Sequence, residues 1–195
     1  MSDNGVADGR RARGERTRQR VVESLIELVE AGDLRPSAQR VADHAEVALR
    51  TVYHHFEDVE ALRATANRMQ FERHIQLLRP VDPSLPLDKR IALVSKQRQK
   101  LFEAITPMRR AALLDDSGSQ VGEGTRESRE LLRQRIEDAF APELAAAGGK
   151  RGAILDAIDT ATAWPNWLFL RIYLQRKPAE ASRVVETILR SLLGA

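Results

Sequence analysis

The chain has 195 residues, of which 43% are hydrophobic and 5% aromatic, so it forms one or two domains with an aliphatic core and not a large multidomain enzyme. It has no cysteine, which excludes disulfide scaffolds and thiolate sites, and it has neither a secretory leader nor a membrane-spanning apolar run, so we expect a cytoplasmic protein with no membrane segment. Its net charge is only +3, but six arginines stand between Arg10 and Arg20 against one acidic residue, Glu15.

The N-terminal third predicts a basic arm followed by a helix. Residues 1–15 are polar and Arg-rich, and we expect them to be disordered. From about Arg16 the apolar spacing i, i+3, i+4 and i+7 predicts an amphipathic helix that stops at Gly32. Its apolar face consists of Val22, Leu25, Ile26 and Val29.

Three further helices are predicted before residue 80. Ser37 is a good N-cap for a helix of about two turns. A second short helix is predicted from Leu49 to His55, and Asp58 can cap a longer one that carries Leu62 and Met69 on one face. The first two are separated only by the tight turn Ala45-Glu46-Val47.

Proline and glycine divide the remainder into further helices. The linker 79–86 contains three prolines and predicts a domain boundary, Pro107 is expected to break or restart a helix, and residues 115–124 are predicted to form a loop. Helices are then predicted over 125–140, over 150–175 with a kink at Pro165, and over 178–193. No strand pattern competes, so the fold class is all-α.

Two short helices joined by a tight turn, with a basic segment before them, are suited to contact with DNA. A compact pair of this kind can set one helix into the major groove of DNA, which is about 12 Å wide, while the other braces on the backbone. The arm adds positive charge that favours a nucleic-acid contact. The alternatives are an ordinary helical hairpin in an all-α core and a solubilising tail.

The residues of this pair carry a more specific pattern. It consists of Val41-Ala42, Ala45-x-Val47, Thr51 to Phe56, Glu60 and Leu62. Over residues 16–62 the pattern resembles the N-terminal DNA-binding domain of the TetR family of bacterial transcriptional regulators. The resemblance implies a three-helix helix-turn-helix domain over 16–62. It also implies a helical ligand-binding and dimerisation domain over 63–195, whose last two helices pair with a second subunit.

The expected DNA contacts come from the arm and from the resemblance. Arg16 and Arg18 belong to the basic flank, and Val52 and Phe56 are expected to be core residues. On the resemblance, the remaining contacts to bases or phosphates are Ser37, Gln39, Arg50, Thr51, Tyr53, His54 and His55.

Three positions depart from the family pattern. Glu46 replaces the usual glycine of the turn, where a positive φ costs a non-glycine residue on the order of 1 kcal/mol. Ala48 replaces the Ser or Thr that caps the recognition helix, and Val59 replaces a phosphate-binding lysine. The Arg10–Arg20 stretch is the expected compensation for that missing charge.

The C-terminal domain is expected to hold an effector and a dimer surface. Phe102, Met108, Trp164 and Trp167 are the candidates for lining an apolar cavity, with core packing as the competing explanation. His74 and Arg109 are candidate polar anchors for the ligand. The stripe expected to pair with a second copy is Val185, Ile188, Leu189 and Leu192.

No catalytic motif supports an enzyme. The chain lacks a Gly-rich phosphate loop, a His-Glu-x-x-His pattern and a Gly-x-Ser-x-Gly elbow, and no metal or cofactor is expected. The sequence therefore predicts a homodimeric regulator, most often a repressor in families of this kind. It would bind a palindromic double-stranded operator and be released by a small, largely apolar effector. The alternative is a helical ligand-binding or interaction protein without tight sequence-specific DNA binding.

Overall fold

The computed structural model describes residues 4–114 and 123–194, and within these ranges the chain is all-helical without a β-strand. This confirms the predicted all-α class. The described residues divide into two compact units, residues 4–70 with 107–114 and residues 71–106 with 123–194. None of the helices in these ranges combines the length and hydrophobicity of a membrane-spanning segment.

The first unit is built around one long helix. Its elements are α1 (Asn4–Glu30), α2 (Ala38–His44), α3 (Leu49–His55), most of α4 (Val59–His74) and the end of α5 (Leu87–Leu113). The predicted face of α1 is buried, and α2, α3 and α4 pack on it with Val41, Val52 and Leu62. Met108 and Ala111 at the end of α5 complete this core.

The predicted disorder of residues 1–15 is wrong from Asn4 onward, because α1 is one continuous helix of 27 residues. Its N-terminal half is rich in Arg and contains no proline, so nothing stops a helix already nucleated by the buried half. Extension by one residue costs little once the nucleus exists, and Gly9 and Gly14 weaken the helix without ending it.

The second unit contains the remaining helices. These are the first part of α5, α6 (Glu123–Ala139), α7 (Ala141–Ala146), α8 (Arg151–Ala161), α9 (Trp164–Leu168) and α10 (Pro178–Leu193). Short 3-10 turns occupy Ile75–Leu77 and Gly148–Lys150, and a π-helical turn, Phe169–Tyr173, follows α9. Ile91, Phe102, Ile136 and Phe140 are among the fully buried residues of its core.

Neither predicted boundary between domains matches the division into units. The units divide within α4, after Gln70, and within α5, before Pro107, and not at residue 62 or in the proline linker. The reason is packing, since Ala66 of α4 and Met108 of α5 are buried in the first core. The composition of a linker indicates where the chain is not helical. The core to which a helix belongs depends on which of its residues are buried there.

Two proline predictions were wrong. Pro107 does not break α5, because buried residues on both sides of it hold the helix together. The predicted 150–175 helix is not kinked at Pro165 but interrupted at Ala163, whose extended backbone precedes α9. Pro165 then lies in the first turn of a new helix, where its missing N–H costs nothing. Most of the predicted loop 115–124 lies outside the described residues.

The helix α10 begins at Pro178 and ends before Gly194, as predicted. Its apolar stripe, however, is divided between two environments. Val185 and Leu189 are buried in the core of their own unit, whereas Ile188 is 39% exposed and Leu192 is half-buried. Only part of the predicted dimer stripe is therefore free in the single chain.

The first two helices end in the same backbone motif with different residues. After α1, Asp33 N–H donates to Leu28 O and Gly32 has a φ of +102°. After α2, Val47 N–H donates to Ala42 O at 3.0 Å and Glu46 has a φ of +55°. Both are Schellman-type endings, and the second confirms the predicted positive φ at a non-glycine residue.

Replacing Glu46 by glycine should stabilise the first unit. Glycine adopts a positive φ without strain, so we expect Glu46→Gly to raise the free energy of unfolding by up to about 1 kcal/mol in urea denaturation. Glu46→Ala is the matched control, because it removes the charge and retains the strain. Equal stabilisation by both variants would show that charge, and not backbone conformation, is the source.

Candidate nucleic-acid interface

Local hydrogen bonds hold α2 and α3 at a tight turn. The Ser37 hydroxyl accepts from Arg40 N–H at 3.2 Å, which confirms Ser37 as the N-cap of α2. Ala48 stands at the N-cap of α3 without a side-chain hydrogen bond, as its sequence position predicts. The hydroxyl of exposed Ser37 can still donate a proton to an outside acceptor such as a phosphate oxygen.

One face of α3 is buried in the core of the first unit, and the opposite face is exposed to solvent. Val52 is buried within α3 and Phe56 immediately after it, and both belong to the first core. Arg50, Tyr53 and His54 are exposed, and their spacing of i, i+3 and i+4 places them on a common face. This face joins a guanidinium, a phenol and an imidazole, which are the groups that contact base edges and phosphates.

The N-terminal half of α1 lies beside the C-terminal end of α3. The guanidinium carbon of Arg18 stands 5.0 Å from the centroid of the Phe56 ring, a cation–π contact. One turn earlier, a Cβ built on Gly14 would lie 4.0 Å from Cε1 of His55. The long helix therefore brings its arginine-rich segment to the same side of the unit as α3.

Helical spacing separates the arginines of this segment. Arg11 is exposed and lies three residues before Gly14 and seven before Arg18, so it continues the face of α1 that meets α3. Arg16 is also exposed but is about 200° around the helix from Gly14, at 100° per residue. The structure thus places predicted Arg18 beside α3, directs predicted Arg16 away from it, and adds Arg11, which sequence reasoning did not single out.

The electrostatic environment of α3 favours a neutral His55. Partial burial lowers the pKa of His55 below its ordinary value, and the nearby charges of His54 and Arg18 lower it further against the opposing effect of Glu15. The His54 and His55 rings are 5.2 Å apart in an edge-to-face arrangement. A neutral imidazole still donates one N–H, so half-buried His55 can serve a phosphate contact without protonation.

Carboxylates accompany the exposed face of α2. Gln39 donates to Asp43 at 2.7 Å and is therefore already engaged, while Arg40 pairs with Asp33 at 2.6 Å. Glu46 is exposed at the turn. The predicted contacts Ser37 and Gln39 are present on the surface, but α2 offers less free positive charge than α1 and α3.

The four predicted ligand-binding residues are distributed over the cores of both units. Phe102, Trp164 and Trp167 are buried in the core of the second unit, with the Phe102 and Trp167 rings 6.3 Å apart. Met108 is buried in the core of the first unit. The candidate anchors His74 and Arg109 likewise belong to different units.

Both indoles of the second unit are tied to α5 by hydrogen bonds. Trp164 Nε1 donates to Thr106 Oγ1 at 3.1 Å, and Trp167 Nε1 donates to Glu103 Oε1 at 2.9 Å. Glu103 also pairs with Arg171 at 2.8 Å. These contacts are those of structural core residues, which was the competing explanation for the aromatic set.

No protein-family model and no curated protein sequence matches this chain. Among residues 4–114 and 123–194, no three side chains of the metal-ligating types His, Asp and Glu come together as a metal site requires. The arrangement of α1, α3 and the turn between α2 and α3 is the feature from which a function can be inferred.

The contact between α1 and α3 predicts the titration of His55. Arg18→Gln removes a positive charge beside the imidazole, so we expect the pKa of His55 to rise toward its ordinary value in a proton NMR titration. Arg16→Gln is the control and should leave that pKa unchanged, because Arg16 faces away from α3. An unchanged pKa in Arg18→Gln would contradict the placement of α1 against α3.

Proposed function

We propose that the chain is a ligand-responsive transcriptional regulator of the TetR type, which binds operator DNA as a homodimer. The observation that carries the proposal is the exposed face of Arg50, Tyr53 and His54, rigidly mounted on buried Val52 and Phe56. In this proposal α2 and α3 form the helix-turn-helix, and α3 is the recognition helix.

The dimensions and chemistry of α3 support insertion into the major groove. Its seven residues extend about 10 Å, so it can enter the groove end-on and present its first turn to base edges. Arg50 in that turn can hold guanine O6 and N7 as a bidentate pair, while Tyr53 and His54 donate to phosphates or bases.

The extended α1 supports a second contact to the DNA backbone. Arg11 and Arg13 are exposed, and Arg18 lies beside Phe56 at the end of α3. Cations that neutralise phosphates release counterions, which makes binding strongly dependent on salt. This segment supplies the charge that Val59 does not, and it offsets the carboxylates Asp43 and Glu46 near α2.

The exposed apolar residues of the second unit support a dimer interface. On α10 these are Val184 and Ile188, at i and i+4 on one face. Four more lie in or directly after the π-helical turn, which packs against α10. They are Phe169, Ile172, Tyr173 and Leu174. A second copy of the chain would cover this apolar face, and two recognition helices would then meet two half-sites of a palindrome.

The helices that span both units support release by an effector. Each of the helices α4 and α5 has one segment in the first unit and the other segment in the second unit. A ligand that binds better to one arrangement of the second unit shifts the population toward it, and the shift moves segments that also build the first unit. A changed separation of the two recognition helices would weaken operator binding.

Sequence-specific DNA binding is tested by fluorescence anisotropy on labelled fragments from around the chain's own gene, with scrambled DNA as competitor. We expect Arg50→Gln to lower affinity for the preferred fragment about tenfold or more, because a bidentate base contact is lost. Arg183→Gln, an exposed arginine on α10, is the control and should bind like the parent chain. In a salt series, Arg11→Gln should reduce the slope of log affinity against log salt by about one.

Two outcomes would contradict this function. Weak binding that is equal on both DNAs and insensitive to Arg50→Gln would leave the second candidate, a helical ligand-binding protein without tight DNA binding. The exposed carboxylates Asp43 and Glu46 favour that candidate. A salt slope near zero would exclude a phosphate interface on α1.

The dimer surface is tested by sedimentation equilibrium. Ile188→Glu places a charge in the exposed apolar face of α10, so we expect the variant to be monomeric where the parent chain is dimeric. Lys100→Glu changes an exposed polar position on α5 and should remain dimeric. Dimers in both variants would show that this face is not the interface.

A further inference from the structure

Helix α5 buries two arginines in different electrostatic environments. Arg90 is paired by a bidentate contact, in which its Nη1 and Nη2 donate to the two carboxylate oxygens of Glu143 at 2.7 and 2.5 Å. Its Nη1 also donates to Ala139 O at 2.8 Å. This arrangement neutralises a buried charge in the usual way, with a carboxylate and additional hydrogen bonds.

Arg98, two turns later, is buried without such a partner. It is 4% exposed, donates from Nη2 to Leu132 O at 2.7 Å, and lies 5.9 Å from the centroid of the Phe102 ring. Among the described residues no carboxylate lies within ion-pair distance of it. Burial lowers the pKa of Arg98 to about 10 against the more distant attraction of Asp159, which itself pairs with Arg133. The side chain therefore remains a cation at neutral pH.

Arg98 lines a cleft together with two other arginines. Arg79, from the segment after α4, and Arg135, from α6, stand on the same cleft, and no acidic residue is among the side chains that form it. The Nε atom of Arg135 is buried and finds no hydrogen-bond acceptor among the described residues. Three arginines therefore line one cleft, and one of them has a buried donor without an acceptor.

The remaining walls of the cleft are mostly apolar. Gln97 is the other polar residue, and the apolar wall consists of Leu78, Val81, Val94 and Ile136. The cleft is small, with about 10 Å³ open to the centre of a water-sized group, which is room for one such group. An oxygen of a small anion fits this space, and an attached chain would lie along the apolar wall toward the open side.

We infer that this cleft is a binding site for an amphiphilic carboxylate, a small organic acid whose head group pairs with Arg98 and Arg135 and whose tail contacts the aliphatic wall. A carboxylate supplies the missing counter-charge and can accept hydrogen bonds from guanidinium groups. The site uses none of the four aromatic or methionine residues first considered for ligand binding.

The role of this ligand as effector rests on the proposed function, but its binding does not. The ligand would be anionic where the sequence alone suggested a largely apolar effector. Because α5 carries Arg98 and also belongs to the first unit, occupation of the cleft is placed to bias the shared helix.

The inference is tested by calorimetric titration of the full-length chain without DNA. The probes are octanoate, octan-1-ol and octylammonium, which share one tail and differ in head-group charge, together with octyl phosphate. We expect octanoate to bind, octan-1-ol to bind at least about tenfold more weakly than octanoate, and octylammonium not to bind. Equal affinity for octanoate and octan-1-ol, or preference for octyl phosphate, would overturn the assignment of a carboxylate site.

Variants locate the site. Arg98→Met keeps the length of the side chain and removes the buried charge, and Arg135→Gln alters a residue that is partly exposed. Each should weaken octanoate binding about tenfold or more, whereas Lys100→Gln on the exposed side of α5 should not. Wild-type affinity in Arg135→Gln, or equal weakening by Lys100→Gln, would overturn the proposed location.

The two proposals fail in distinguishable ways. Octanoate binding is measured without DNA, and DNA binding is measured without octanoate. Octanoate bound by a chain that ignores DNA leaves the carboxylate site intact and removes the regulator function. DNA bound by a chain that ignores octanoate removes the carboxylate site and leaves the regulator function.

Discussion

The buried face of α1 is the constraint on which the first unit depends. Val22 and Leu25 are fully buried in that face, and the packing of α2, α3 and α4 against it excludes water from one contiguous core. Polar contacts at the edge fix the register, since His44 pairs with Glu27 at 2.8 Å and Gln70 donates to Glu30 at 2.8 Å. The same helix continues beyond the core and carries the arginines beside α3, so one element sets both the fold and the charge of the candidate interface.

Charge compensation has a comparable role in the second unit. A buried guanidinium is expensive unless it is paired, and Arg90 satisfies that condition with Glu143. Arg98 is held instead by a carbonyl and an aromatic ring, which offset only part of the cost. A cation next to a cleft and partly shielded from water attracts an external anion more strongly than the same cation would in water. The proposed DNA interface and the inferred carboxylate site would thus both use arginine, exposed in one unit and buried in the other.

Features that depend on neighbours along the chain were predictable. The Ser37 cap, the positive φ of Glu46 and the Asp58 cap, which accepts from Ala61 N–H at 2.7 Å, all follow from residues within a few positions. Arg11 was not singled out, because its relation to α3 appears only if α1 is helical to its N-terminal end. Arg98 was not found either, since nothing in its sequence neighbourhood distinguishes it from an exposed arginine.

The sequence by itself determined the helical class, most helix ends and the exposed character of α3, because capping, turn geometry and apolar periodicity act over four or five residues. Only the tertiary structure decided which helices share a core. It placed Met108 and Trp164 in different cores, and it buried Leu189 while leaving Ile188 partly exposed. Such outcomes depend on contacts between residues distant in the chain, whose energies come from the whole packed arrangement and not from local pattern.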